Sequence, residues 1–137
     1  MSVHTRSQRL AQAAFPLVQM REKAMKEDFK EYVTIAKKFP SLVHTCGLAQ
    51  AVAFYEAKGK TKPGKPEKPH LGYLNDLAAV LAAVDHQEIG TVKKLTDKVR
   101  TEPLSGYLRL SRDAINAASW LKRYAEALAP DEAEATT

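Results

Sequence analysis

His44 and Cys46 are the first pair in this chain that could do chemistry: an imidazole beside a thiol, two residues apart. On a helix, residues two apart point in different directions, so the pair forms no local nucleophile–base dyad. His4, His44, His70 and His86 show no metal-ligand spacing with one another or with Cys46. The glycines of "GKTKPGK" (59–65) lack the flanking strand and the Ser/Thr after lysine that a phosphate-cradling loop needs. Asp85 and Glu88 have the spacing of a helix capping box and are explained by it. The expectation is a chain with no catalytic centre, no metal, no cofactor and no small-molecule substrate.

What remains is phosphate binding. Lys23, Lys30 and Lys37 recur every seven residues, which on one continuous helix gives a single face, with Lys26 beside it. Arg109, Arg112, Asn116, Ser119 and Arg123 form a polar stripe at helical spacing, and Lys122 adjoins it. Arginine, amide and hydroxyl groups all bind phosphate and sugar oxygens. A solvated, salt-bridged face explains the same residues: Glu22 and Lys26 are an i,i+4 pair, and Glu27 lies near Lys23 and Lys30. Trp120 and Tyr124 flank the apolar stripe of their helix and are expected to pack rather than stack on bases.

The charge distribution agrees with a polyanion or acidic partner. The net charge is +5. Residues 1–38 carry eight Lys/Arg against four Asp/Glu, and residues 59–70 carry four against one. One cysteine excludes an internal disulfide and fits a reducing cytoplasm. No apolar run reaches the ~18 residues of a membrane span, and "MSVHTRSQRLAQ" lacks the apolar region of a secretory signal.

The elements that must position these groups all read as helices, since no stretch alternates with period two. The first runs from about Thr5 to Lys38, with a kink expected at Pro16 and an end at Pro40. A second runs from Ser41 to Gly59; it is apolar nearly all round, as a central packing helix would be. Gly47 inside it implies close approach of a neighbouring backbone, and Cys46 reads as a small buried hydrophobe. The Lys/Pro-rich segment 59–70 is expected to be a mobile loop. A third helix covers about Leu71–Val84, and a fourth runs through Val92, Leu95 and Val99, capped by Asp85 or Thr91. The last, after Pro103, carries an apolar stripe through Leu104, Leu108, Ser111, Ile115, Ala118, Leu121, Ala125 and Leu128, and an acidic tail at 130–137 is expected to fray. The sum is an all-α, compact single-domain bundle of five to six helices with no sheet, spanning residues 1–137.

Two stretches resemble a known family. "AKKFPSLVHTCGLAQAVAFYEAKG", through Lys37, Pro40, Gly47, Leu48, Phe54 and Lys58, is similar to a signature of the small α-helical subunit of the Cmr-type (type III-B) CRISPR effector complex. "YLRLSRDAINAASWLKRYAEAL", through Trp120-Leu121-Lys122-Arg123 and Ala125-Glu126, is similar to its C-terminal motif. The resemblance implies a non-catalytic subunit, several copies of which stack beside the guide-bearing backbone subunits and line the channel holding guide RNA and target RNA. On that implication Lys23, Lys30, Lys37, Arg109, Arg112, Lys122 and Arg123 are the candidate RNA-backbone contacts, made without reading bases. Pro40, Gly47, Leu48, Phe54 and Trp120 are candidate packing residues. Two other classes remain open: a protein–protein scaffold whose basic face meets an acidic partner, and a free-standing nucleic-acid-binding regulator.

Overall fold

The computed structural model describes residues 3–130, so the tail expected to fray lies outside the described residues from position 131 on. Six α-helices follow one another: α1 (Arg6–Met25), α2 (Phe29–Cys46), α3 (Leu48–Lys58), α4 (Pro69–Val84), α5 (Val92–Thr101) and α6 (Leu104–Leu128). Among the described residues there is no strand, and the expected all-α bundle is what forms.

The helix boundaries follow from local chemistry that partly overrides the proline signals. Thr5 opens α1 with a reciprocal capping box: the Gln8 amide donates to the Thr5 hydroxyl and the Thr5 amide to the Gln8 side chain. Neither Pro16 nor Pro40 ends a helix; α1 and α2 run through them. A mid-helix proline costs about 3 kcal/mol. Around Pro40 that cost is offset by burial of Ile35, Ala36 and Phe39 before it and Val43 after it, all on one face of α2. The first long segment breaks instead at a 3-10 turn, Lys26–Asp28, where Lys26 adopts φ +50°. Glu27 and Lys26 thereby leave the α-helical register. The expected Glu22–Lys26 and Glu27 ion pairs are absent among the described residues.

The second correction concerns Gly47. It lies between helices, not inside one, with φ +87° and ψ 161°. That is a backbone conformation only glycine holds without strain. A Cβ there would make only ordinary contact with Tyr107, so conformation rather than close approach requires the glycine. Close approach occurs at Gly59, where a Cβ would fall 2.7 Å from the Leu71 amide nitrogen. That contact draws the two ends of the 59–70 loop together.

α4 is the central helix, with nine buried residues from Gly72 to Val84. It displaces the 42–57 stretch from the central role expected of it. Tyr32, Phe39, Tyr55 and Tyr73 pack with ring centroids 5.1–6.0 Å apart where α2, α3 and α4 meet. Two polar networks fasten the bundle. Asp76, 4% exposed, accepts from Arg21 Nε (2.9 Å) and Nη2 (3.0 Å) and from the Tyr32 hydroxyl (2.6 Å), joining α4 to α1 and α2. Burial acts to lower the Arg21 pKa, but the hydrogen bond and charge of Asp76 outweigh it and raise it. Asp113, on α6, is ion-paired with Arg6 (2.6 Å) and lies 2.7 Å from His86 Nε2.

Asp85 and Glu88 do not form the expected capping box. Asp85 pairs with Arg6 at 2.5 Å and Glu88 lies 3.8 Å from Lys98, while the Thr91 hydroxyl caps α5 by accepting from the Lys94 amide.

Candidate nucleic-acid interface

Two basic surfaces emerge, one on α6 and one where α2 meets α3. On α6, Arg109, Arg112, Asn116, Ser119 and Arg123 are all exposed. The helix is continuous from Leu104 to Leu128, so the expected polar row forms on one side. Buried on the other side are Leu110, Asp113, Ala114, Ala117, Ala118, Leu121 and Ala125. Lys122 is half-buried and borders a concavity with Ser119, Arg123 and Glu126. Arg123 lies over the Trp120 ring, 5.7 Å from its centroid. Trp120 is partly buried against the core, and its ring and that of Tyr124 are 5.6 Å apart. The N-terminal end of the apolar stripe differs from expectation: Leu104 and Leu108 are 73% and 59% exposed. α6 turns Leu110 inward there, and that sets the face.

The three lysines expected to share one helix face do not. Lys23 lies on α1, before the 3-10 turn, and Lys30 and Lys37 lie on α2. All three are exposed. None of Lys23, Lys30, Lys37, Arg109, Arg112, Lys122 and Arg123 has a carboxylate within 4.0 Å among the described residues. Their charges are free of the salt-bridged arrangement that would explain them as a self-neutralising face.

At the α2–α3 corner the uninterrupted α2 matters. Because it continues through Pro40, Lys37, Ser41 and Thr45 stand in one i,i+4 column, with Lys38 and Leu42 beside them. Gly47 then reverses the chain, and α3 returns along α2. α3 receives no side-chain cap from Gly47; Tyr107 of α6 supplies one, its hydroxyl accepting from the Ala49 amide at 3.0 Å. Leu48 is fully buried and Pro40 half-buried.

Phe54 is the exception among the expected packing residues. It is 49% exposed, because α3 buries Leu48, Ala51, Val52 and Tyr55 and turns Phe54 outward. Its ring borders a concavity of about 530 Å³ lined also by Lys37, Lys38, Ser41, Leu42 and Thr45. The Lys58 ammonium stands 5.6 Å from the ring centroid. Phe54 stands among the packing residues expected from the sequence, and Lys38 and Lys58 stand outside the expected phosphate contacts. The signal for them is the pattern itself: an aromatic four residues before a lysine, on a helix whose other face is already filled. Cys46 is half-buried, its thiol directed at the Leu42 carbonyl (3.2 Å), in keeping with a packing role.

The chain is an all-α bundle with basic surfaces, and the described residues hold no cluster of three or more metal-ligating side chains. The family model for CRISPR-associated protein Cas_Cmr5 matches residues 6–128, and the chain belongs to the Cmr5 family. A Thermus thermophilus protein named CRISPR system Cmr subunit Cmr5 is 40% identical over 126 residues, covering 92% of this chain and 97% of its own length. A Thermotoga maritima protein of the same name is 30% identical over 137 residues, covering 100% of this chain and 95% of its own. The crystal structure of a CRISPR-associated Cmr5 family protein from Thermus thermophilus superposes with a TM-score of 0.76 at 38% identity, covering 93% of this chain and all of that one. Among the described residues no helix is long and apolar enough to cross a membrane.

Proposed function

We propose that this protein is a non-catalytic structural subunit of a Cmr-type (type III-B) CRISPR ribonucleoprotein, stacking with further copies of itself and with the backbone subunits along a channel that holds guide RNA and target RNA. The observation that carries this reading is the set of seven cations, six exposed and Lys122 half-buried, each without a carboxylate partner among the described residues, on a chain of the Cmr5 family. Their role is electrostatic: Lys and Arg neutralise phosphates, releasing counterions, and the sequence of the RNA is read elsewhere by base pairing. One copy needs few contacts, because affinity accumulates over stacked copies. The protein works in the cytoplasm, where its RNA is.

The test is a salt titration of RNA binding by the isolated chain. Weak, sequence-independent binding that falls steeply with salt supports the reading; no binding even at low salt contradicts it. A scaffold without RNA contact is the second reading, and the exposed Leu104 and Leu108 favour it, since such side chains gain more from a protein surface than from phosphate.

A further inference from the structure

The α2–α3 corner differs from a plain basic patch in holding an exposed ring. Phe54 lies half outside the core, at the edge of a concavity whose volume, about 530 Å³, is within the ~300–1,000 Å³ typical of ligand sites. Lys37 and Lys38 line it from α2, and Lys58 stands over the ring from α3. Ser41 and Thr45 add hydroxyls able to donate to or accept from a sugar or base edge. No carboxylate lines it. The whole lining is complementary to an anion that also carries a flat apolar face, which describes a nucleotide better than it describes an acidic side chain.

We propose that this groove binds one unpaired nucleotide of a single-stranded RNA segment: the base stacks on Phe54, and the adjoining phosphates are held by Lys37, Lys38 and Lys58. The proposal deepens the RNA-contact reading given above and rests on it. It changes that reading at this corner, where contact extends from the backbone to the base. Stacking on an aromatic ring is tolerant of base identity, since every base presents a π face, so the site adds affinity without adding sequence preference. Gly47 and the unbroken α2 are what bring the ring and the lysines together.

The test uses the full chain and two fluorescein-labelled oligomers of equal length, oligouridylate and an abasic RNA with the same phosphates. The wild type should bind oligouridylate about tenfold more tightly than the abasic strand, the effect of one stacked base. Phe54→Ala should erase that preference while leaving the salt dependence unchanged. Phe54→Trp should keep it, with quenching of the added indole emission on binding. Lys37→Ala combined with Lys38→Ala should weaken both oligomers alike and flatten the salt dependence. If Phe54→Ala binds both oligomers as the wild type does, the stacking site is wrong and the phosphate-contact reading survives. If the wild type binds neither oligomer at low salt, both fall. If poly-glutamate displaces oligouridylate and its own binding is lost in Phe54→Ala, the groove belongs to an acidic protein segment and the proposal is overturned.

Discussion

The two basic surfaces are built on opposite principles. The α6 row is a single helix displaying long side chains outward, with its position set by the apolar residues on its back. The α2–α3 groove is assembled from two helices, a glycine corner and a hydroxyl cap lent by Tyr107 of a third. A row on one helix follows a backbone and offers only charge and hydrogen bonds. A concave corner encloses part of a ligand and can hold an aromatic face against it. The difference teaches that a row of charge suits only the backbone of a polyanion, whereas helix-to-helix geometry decides whether a surface could also receive a flat apolar group.

The largest effect should strike both surfaces at once. Asp76→Ala leaves the buried Tyr32 hydroxyl without its acceptor and Arg21 with only the Gly72 carbonyl and Glu67, and is expected to lower stability by about 3 kcal/mol in urea denaturation. RNA binding should then fail at both surfaces, through unfolding. A selective break comes next. Gly47→Ala forces a side chain into the φ +87° corner and should cost about 1–3 kcal/mol. It should remove the preference for oligouridylate over abasic RNA while sparing the salt dependence due to α6; equal loss at both would show that the two surfaces are not separable.

A smaller change sharpens the other side of the comparison. Replacing Arg109, Arg112 and Arg123 by alanine should lower stability by no more than about 1 kcal/mol, since all three are exposed and the contact given up is that of Arg123 with the Trp120 ring. The salt slope of RNA binding should flatten by about 2, at roughly 0.7 per lost phosphate contact. The preference for oligouridylate over the abasic strand should persist. The smallest effect at neutral pH concerns Tyr55, on the floor of the groove. Burial pushes its phenol up to about 12, and it pushes those of Tyr32 and Tyr73 well above the ordinary tyrosine range. All three folded pKa values exceed the unfolded value of about 10, so this stabilisation is complete below about pH 10; the share due to Tyr55 is lost as pH rises through about 12, while Tyr32 and Tyr73, raised in the same direction, stay protonated in the folded chain well above pH 10. Phenolate absorbance of the native protein should therefore lag that of the denatured chain across this window. Coincident titrations would mean that these rings are not sealed.

The α6 row was legible because one amphipathic helix carries both its apolar back and its polar front within a single periodic run. Even there the first two turns misled: Leu104 and Leu108 fit the stripe by spacing, yet Leu110 is the residue turned inward. The groove was illegible for a different reason. Proline is a local signal and the packing of Ile35, Phe39 and Val43 is not, so α2 was divided at Pro40 and its column of Lys37, Ser41 and Thr45 was lost from view. With α2 divided, Gly47 sat inside a helix, and Phe54 passed for a core residue. The seven-residue recurrence of Lys23, Lys30 and Lys37 failed likewise, because the positive φ at Lys26 has no sequence signature of the kind a glycine provides.

The central claim, that these cations face RNA, is tested most directly by a lysine footprint. The complex purified with its guide RNA would be acetylated before and after ribonuclease treatment, and labelling would be read by mass spectrometry at Lys23, Lys30, Lys37 and Lys122. The account predicts that these positions are protected while RNA is present and become labelled once it is removed. Labelling unchanged by ribonuclease, with the same lysines still covered, would place them against protein and contradict it.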